Sequence, residues 1–89
     1  MAWHVEFTPH AARELERIDR HDRRRILGFL KDRVLGNTNP RAIGEALRGR
    51  ELGQFWKYRV GNFRIICDIQ DHRIVVVVVR IGNRREIYR

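Results

Sequence analysis

Cationic side chains flank a tight-turn signal in the second half of the chain. The segment WKYRVGNFRI contains a Gly61-Asn62 pair, which favours a two-residue hairpin turn. Alternation of side chains along the two strands then places Arg59 directly opposite Arg64, with Lys57 on the same face. Like charges directly opposite one another lower stability, and a bound anion offsets that repulsion. The chemistry predicted for this face is binding of phosphate groups, which arginine holds with two hydrogen bonds.

The end of the chain adds cations and an aromatic ring to this prediction. The last predicted strand pairs with the one before it, so Arg84, Arg85 and Tyr88 are expected near the same face. Paired carboxylates and metal-ligand clusters are absent from this part of the sequence. Metal-free cleavage of RNA is compatible with such a site, because the substrate supplies its own 2′-hydroxyl as nucleophile. Lys57 and Tyr88 are the candidates for moving the proton.

Histidine and cysteine offer little alternative chemistry. None of the four histidines falls among these cations, which argues against a two-histidine ribonuclease mechanism. Cys67 shares its face with apolar residues, so we expect it in the core. A single cysteine excludes an intramolecular disulfide framework and a multi-cysteine zinc site. We expect no metal and no cofactor.

Length and composition limit the class of protein. The chain has 89 residues, with 19 Lys+Arg against 11 Asp+Glu and a net charge of +8. This length predicts one domain spanning 1–89. No apolar run approaches the roughly 20 residues of a membrane span, and the N-terminus lacks a secretory pattern, so we expect a cytoplasmic protein with no membrane contact.

The net positive charge indicates a polyanionic partner, either nucleic acid or an acidic protein. We expect most of the excess on one sheet face and the C-terminal segment, away from the helices.

The elements that position these residues follow from hydrophobic periodicity. An alternating strand at 2–7 precedes Thr8-Pro9, a helix start. A break at Arg20-His21 separates two helices, and residues 41–47 predict a short helical turn. The predicted helices span 9–19 and 22–35, and the later strands span 54–60, 63–69 and 73–81. The order β-α-α-β-β-β predicts an α+β domain, a twisted sheet with a two-helix hairpin packed on its apolar face.

This order, the segment GQFWKYRVGNFRIICDI and the ending IGNRREIYR resemble the RelE/ParE toxin superfamily of type II toxin–antitoxin modules. The resemblance covers nearly the whole chain and is nearer to the RelE branch, whose members cleave mRNA in the ribosomal A site. It implies a RelE-like fold of microbial-ribonuclease type. By position, the family's catalytic residues fall on Lys57, Arg59, Arg64, Arg84 and Tyr88.

The resemblance also implies a role for each residue. Tyr88 and Lys57 would help to activate the 2′-hydroxyl, Arg59 and Arg64 would stabilise phosphate charge, and Arg84 would stabilise it or protonate the leaving 5′-oxygen. The products would be a 2′,3′-cyclic phosphate and a 5′-hydroxyl. Further contacts to RNA or the ribosome are expected from Arg48, Arg50, Arg80, Arg85 and Arg89.

The implied partners are the 30S ribosomal A site with its mRNA and a cognate antitoxin, with operator DNA reached only through the antitoxin. Two departures leave alternatives open. Arg59 stands where a lysine occurs in relatives, and Asn83 stands where histidine is frequent, which removes one proton shuttle. The alternatives are a ParE-like inhibitor of DNA gyrase and a toxin fold that has lost catalysis and only binds.

Overall fold

A five-stranded sheet forms the frame of the protein. The computed structural model describes residues 2–36, 38–47 and 54–83. The strand order is β1-β5-β4-β3-β2, with β1 parallel to β5 and the other neighbours antiparallel. The elements are β1 (His4–Phe7), α1 (Pro9–Glu16), α2 (Arg20–Phe29), β2 (Glu45–Ala46), β3 (Trp56–Val60), β4 (Phe63–Gln70) and β5 (Val75–Asn83). The predicted α+β class is confirmed, with one additional short strand, β2.

Side-chain caps decide where the two helices begin. The Thr8 hydroxyl accepts a hydrogen bond from the Ala11 amide at 3.1 Å, and Pro9 occupies the first helical turn, as the sequence predicts. The Asp19 carboxylate likewise accepts from the Asp22 amide at 3.1 Å, so α2 begins at Arg20. The predicted break at Arg20-His21 was therefore wrong, because the capping residue precedes it. A π-helical turn, Leu30–Val34, then extends α2.

The predicted apolar face of the sheet carries the helices. Tyr58, Ile65, Cys67, Val76 and Val78 are fully buried in one cluster. From the helices, this cluster takes Ala11, Ile26, Leu30 and Val34. Such close packing of one sheet face on two helices is the main source of stability in so small a domain.

The segment after α2 differs from its prediction. Residues 41–47 were expected to form a helical turn, but a 3₁₀ turn at Pro40–Ala42 is followed by strand β2. Gly44 makes this change of direction with a φ of 83°, and a Cβ there would lie 2.5 Å from the Lys57 carbonyl oxygen. The Trp56 indole donates to the Ile43 carbonyl at 2.8 Å, which fixes the segment against β3.

The last strand, β5, begins and ends later than predicted, and it contains a β-bulge. β5 starts at Val75, since Ile74 has a φ of 56° and belongs to the preceding turn. Cys67 lies opposite Val78 but Ile66 lies opposite Arg80, so Val79 is the extra residue. Val79 packs in a second apolar cluster on the face away from the helices. The bulge resets the alternation after it, so Ile81 pairs with Ile65 and joins the core beside Val76 and Val78.

Candidate phosphate-binding site

The β3–β4 hairpin has the register that the sequence predicts. Val60 pairs with Phe63 around the Gly61-Asn62 turn, and Arg59 lies directly opposite Arg64. Lys57 lies one pair further along the same face, opposite Ile66. The hairpin thus brings three of the predicted catalytic cations together.

Arg64 is a buried cation. Its side chain is only 3% exposed, whereas Arg59 is exposed. One guanidinium nitrogen of Arg64 donates to the Phe63 carbonyl at 3.4 Å, a long hydrogen bond. No carboxylate in the described ranges forms an ion pair with either arginine. A charge shielded from water interacts more strongly with a phosphate than an exposed one does.

Lys57 is paired with a carboxylate that the sequence analysis missed. Its Nζ lies 2.9 Å from Glu45 Oε1, and the lysine side chain is 20% exposed against 67% for the glutamate. The hairpin itself contains no acid beside its cations, and Glu45 reaches Lys57 because β2 places it opposite Lys57. The available signal was Gly44, which is a poor residue for the helical turn predicted there.

Apolar side chains lie next to the cations on the same sheet face. Leu47 and Ile66 are buried together, and Phe55 and Val79 pack against them. A surface that combines cations with an aromatic ring and aliphatic groups suits a nucleotide, whose phosphate and base need different contacts.

Arg80 pairs with a carboxylate on α1, unlike the arginines of the hairpin. Its Nε lies 3.3 Å from both Glu14 carboxylate oxygens, and the Ile81 amide donates to the same carboxylate at 2.9 Å. Glu14 also lines an open groove of about 530 Å³ between the helices and the end of β5. This pairing with α1 neutralises much of the charge that Arg80 was expected to offer to RNA.

The remaining predicted site residues lie outside the described residues. They are Arg48, Arg50, Arg84, Arg85, Tyr88 and Arg89.

Two buried titratable side chains are excluded from the chemistry. Burial raises the pKa of the Cys67 thiol well above its usual range, so it is no nucleophile. Burial also raises the pKa of Tyr58, and its hydroxyl donates to the Pro40 carbonyl at 2.6 Å. Within residues 2–36, 38–47 and 54–83, no group of three or more His, Cys, Asp or Glu side chains could hold a metal ion.

The positive charge is less confined to the sheet than expected. α2 and its π-helical turn, residues 20–34, contain six basic and two acidic residues, a net charge of +4. The expectation that the excess lies away from the helices was therefore wrong, since this one element accounts for half of the chain's net charge.

These features together define a small α+β domain with a cationic sheet face. The model of the ParE toxin family of type II toxin–antitoxin systems matches residues 5–88. Toxin RelG of Mycobacterium tuberculosis is 33% identical over 91 residues, covering 100% of this chain and 99% of its own length. Toxin RelE of the same organism is 30% identical over 87 residues, covering 98% and 87%. The chain therefore belongs to the RelE/ParE toxin superfamily of type II toxin–antitoxin systems.

Solved structures show the same fold. The toxin–antitoxin complex RelBE2 of M. tuberculosis contains a chain with a TM-score of 0.83 and 26% identity, covering 93% of this chain and 99% of that one. The isolated Escherichia coli RelE toxin has a TM-score of 0.73 at 21% identity, covering 98% and 92%. Among the described residues, no helix is long and apolar enough to span a membrane.

Proposed function

We propose that this protein is a RelE-type toxin, an endoribonuclease that cleaves mRNA in the ribosomal A site. The observation that carries the proposal is the Arg59–Arg64 pair, two arginines on directly opposed strand positions with no ion pair to a described carboxylate. A phosphodiester between them would relieve their repulsion, and the charge that develops on phosphorus oxygens would relieve it further.

The reaction is a transesterification within the RNA. The 2′-oxygen attacks the adjacent phosphorus, the bond from phosphorus to the 5′-oxygen breaks, and one proton passes from the 2′-hydroxyl to the departing oxygen. The products are a 2′,3′-cyclic phosphate and a 5′-hydroxyl. No water enters at this step, and the reaction needs no metal.

We assign the handling of protons at this site to the Lys57–Glu45 pair. A carboxylate accepts a proton and an ammonium donates one, and the two groups are 2.9 Å apart beside the arginines. We assign Glu45 to accept the 2′-hydroxyl proton and Lys57 to hold Glu45 and the phosphate. Tyr88 remains an expected contributor at the 2′-hydroxyl, and Arg84 at the phosphate or the leaving oxygen. Arg48, Arg50, Arg85 and Arg89 remain expected RNA contacts, and Arg80 contributes less because it pairs with Glu14.

The proposal includes partners and a location. Relatives of this fold are solved as toxin–antitoxin complexes, which supports a cognate antitoxin that neutralises this chain. Operator DNA would be reached only through that antitoxin. We place the protein in the cytoplasm, where ribosomes are, as a single domain over 1–89.

A translation assay tests the endonuclease. Purified protein added to translating ribosomes should cut mRNA at A-site codons, mapped by primer extension. Arg64→Ala and Arg59→Ala should each slow cleavage by at least about tenfold, because each removes a cation from the phosphate. Arg13→Gln removes one positive charge from the exposed side of α1 and should leave cleavage nearly unchanged. Equal cleavage by all four proteins would refute the assignment of the site.

Inhibition of DNA gyrase is the second candidate, favoured by the match to the ParE toxin family model. A supercoiling assay separates the two functions. Inhibited gyrase together with intact mRNA in expressing cells would favour gyrase inhibition over mRNA cleavage.

The third alternative is a toxin fold that has lost catalysis. Such a chain would bind its antitoxin but cause no growth arrest on induction.

A further inference from the structure

The exposed side of α2 carries a row of cations that the proposed site does not use. Arg20, Arg24 and Lys31 are all exposed, and their spacing of four and seven residues places them on one helical stripe. Ile26, Leu30 and Val34 bury the other side of the same helix in the core. Burial fixes the helix, so the row of charges is held in place.

These cations have little internal compensation. In the part of the chain that the structure describes, none of the three is paired with a carboxylate. Within α2 the ion pair is instead Arg25 with Asp22, at 3.6 Å. Repulsion along an uncompensated row lowers stability, and a polyanion bound along the row relieves it.

Two further residues suggest that something approaches this surface closely. Gly28 lies in the middle of α2, where glycine weakens a helix, yet a Cβ at that position would meet nothing within 4 Å. Internal packing therefore does not require glycine here. Leu27 beside it is 41% exposed and completes the stripe between Arg24 and Lys31. A side chain at position 28 would hold an external surface away from the helix.

The cationic surface extends from α2 toward the candidate site. The Arg25 guanidinium lies against the β3–β4 turn, with a nitrogen 3.0 Å from the position of a Gly61 Cβ. That turn directly follows Arg59 and Val60, so the Arg25 side chain reaches the end of the hairpin that carries Arg59. The α2 cations and Arg59 lie on opposite sides of the sheet, so a folded RNA would contact them with two separate segments.

We propose that the α2 row, formed by Arg20, Arg24 and Lys31, binds the phosphate backbone of base-paired RNA. This rests on the proposed function, in which the protein acts on RNA held within a structured ribosomal site. The row is rigid and spans about 16 Å at the helical rise of 1.5 Å per residue. Base-paired RNA holds its phosphates at fixed spacing, so it meets a rigid row at lower entropic cost than a flexible single strand does. The hairpin cations would hold the single-stranded substrate.

Fluorescence anisotropy with two labelled probes tests the proposal. The probes are a mixed-sequence RNA duplex of about 20 base pairs and a single strand of equal length. The double variant R20Q/R24Q should bind the duplex at least about tenfold more weakly, with a salt slope reduced by about two, and should bind the single strand nearly as wild type. The control R13Q/R73Q removes the same charge from exposed positions off α2 and should retain duplex affinity and slope.

Gly28→Ala supplies a test that folding defects cannot imitate. Alanine is the better helix former, so the melting temperature should rise, while duplex affinity should fall several-fold. If both double variants lost the same amount of duplex affinity, the effect would depend on net charge and not on the α2 row, and the proposal would be overturned. Retained duplex binding with weakened antitoxin binding in R20Q/R24Q would overturn it too, by assigning the row to an acidic protein. These measurements use no ribosomes, so wild-type protein that binds duplex but cuts no mRNA refutes the endonuclease alone.

Discussion

Arg59 and Arg64 lie directly opposite each other on adjacent strands, and neither is paired with a described carboxylate. Opposed like charges on a sheet face lower folding stability. The residues also differ in environment, since Arg64 is 3% exposed and Arg59 is exposed. Arg64 is therefore a fixed charge at the base of the site, and Arg59 is free to move onto a bound phosphate.

Replacing Arg59 should separate stability from activity. Arg59→Gln removes the repulsion with Arg64, so the free energy of unfolding should rise by a few tenths to about 1 kcal/mol. Cleavage should fall by at least about tenfold, since the variant loses a cation at the phosphate. Urea unfolding and the ribosome cleavage assay measure the two effects. Arg73→Gln, at an exposed arginine bonded to Glu6, is the control and should not increase stability. An Arg59→Gln protein that is both less stable and fully active would contradict the proposed use of this pair.

Glu45→Gln should bind RNA more tightly but cleave it more slowly. The substitution removes a negative charge beside the phosphate site, and it also removes the group assigned to accept the proton. Single-turnover cleavage should slow by at least about tenfold, because no carboxylate then accepts the proton. Glu16→Gln removes the same charge from exposed α1 and should keep the wild-type rate. A Glu45→Gln enzyme with the wild-type rate would remove Glu45 from the mechanism.

Asp71 should make stability depend on pH in acid. Hydrogen bonds from the Arg41 guanidinium, at 2.9 and 3.0 Å, lower the pKa of this carboxyl below its ordinary value of 3.8. A lowered folded-state pKa stabilises the protein above the unfolded value, and that stabilisation is lost as pH falls from about 3.8 through the folded pKa. Asp71→Asn should therefore lower the melting temperature at pH 7, and the difference from wild type should shrink by pH 3. A constant difference over this range would show that the lost contact is not electrostatic.

Cys67 should be inert in the native state. It is fully buried and burial raises its pKa, so thiol reagents should react only as fast as the protein opens. Cys67→Ala should cost on the order of 1 kcal/mol of stability through the cavity it leaves, while cleavage per folded molecule stays unchanged. Mass spectrometry of the alkylated protein with and without urea measures the reactivity. Rapid labelling of native protein, or loss of cleavage in the alanine variant, would contradict its place as a packing residue.

Several features of this protein follow from local sequence alone. Gly61-Asn62 sets the turn type, and the turn type sets the register, so the Arg59–Arg64 pairing was predictable without coordinates. Alternation likewise assigned Trp56, Tyr58 and Cys67 to the buried face, because a strand has only two faces. The start of α1 at Thr8-Pro9 was also predictable, because a helix cap depends only on residues that are neighbours in the chain.

Contacts between distant segments were decided only by the tertiary structure. The position of Glu45 beside Lys57 depends on β2, a strand of two residues whose pairing with β3 leaves no periodic pattern. The parallel pairing of β1 with β5 joins residues about seventy positions apart, and the Arg41–Asp71 bond joins residues 30 apart. The burial of Arg64 also depends on which elements pack around the sheet. Periodicity specifies which face a side chain takes, whereas neighbours across the fold are chosen by packing of the whole chain.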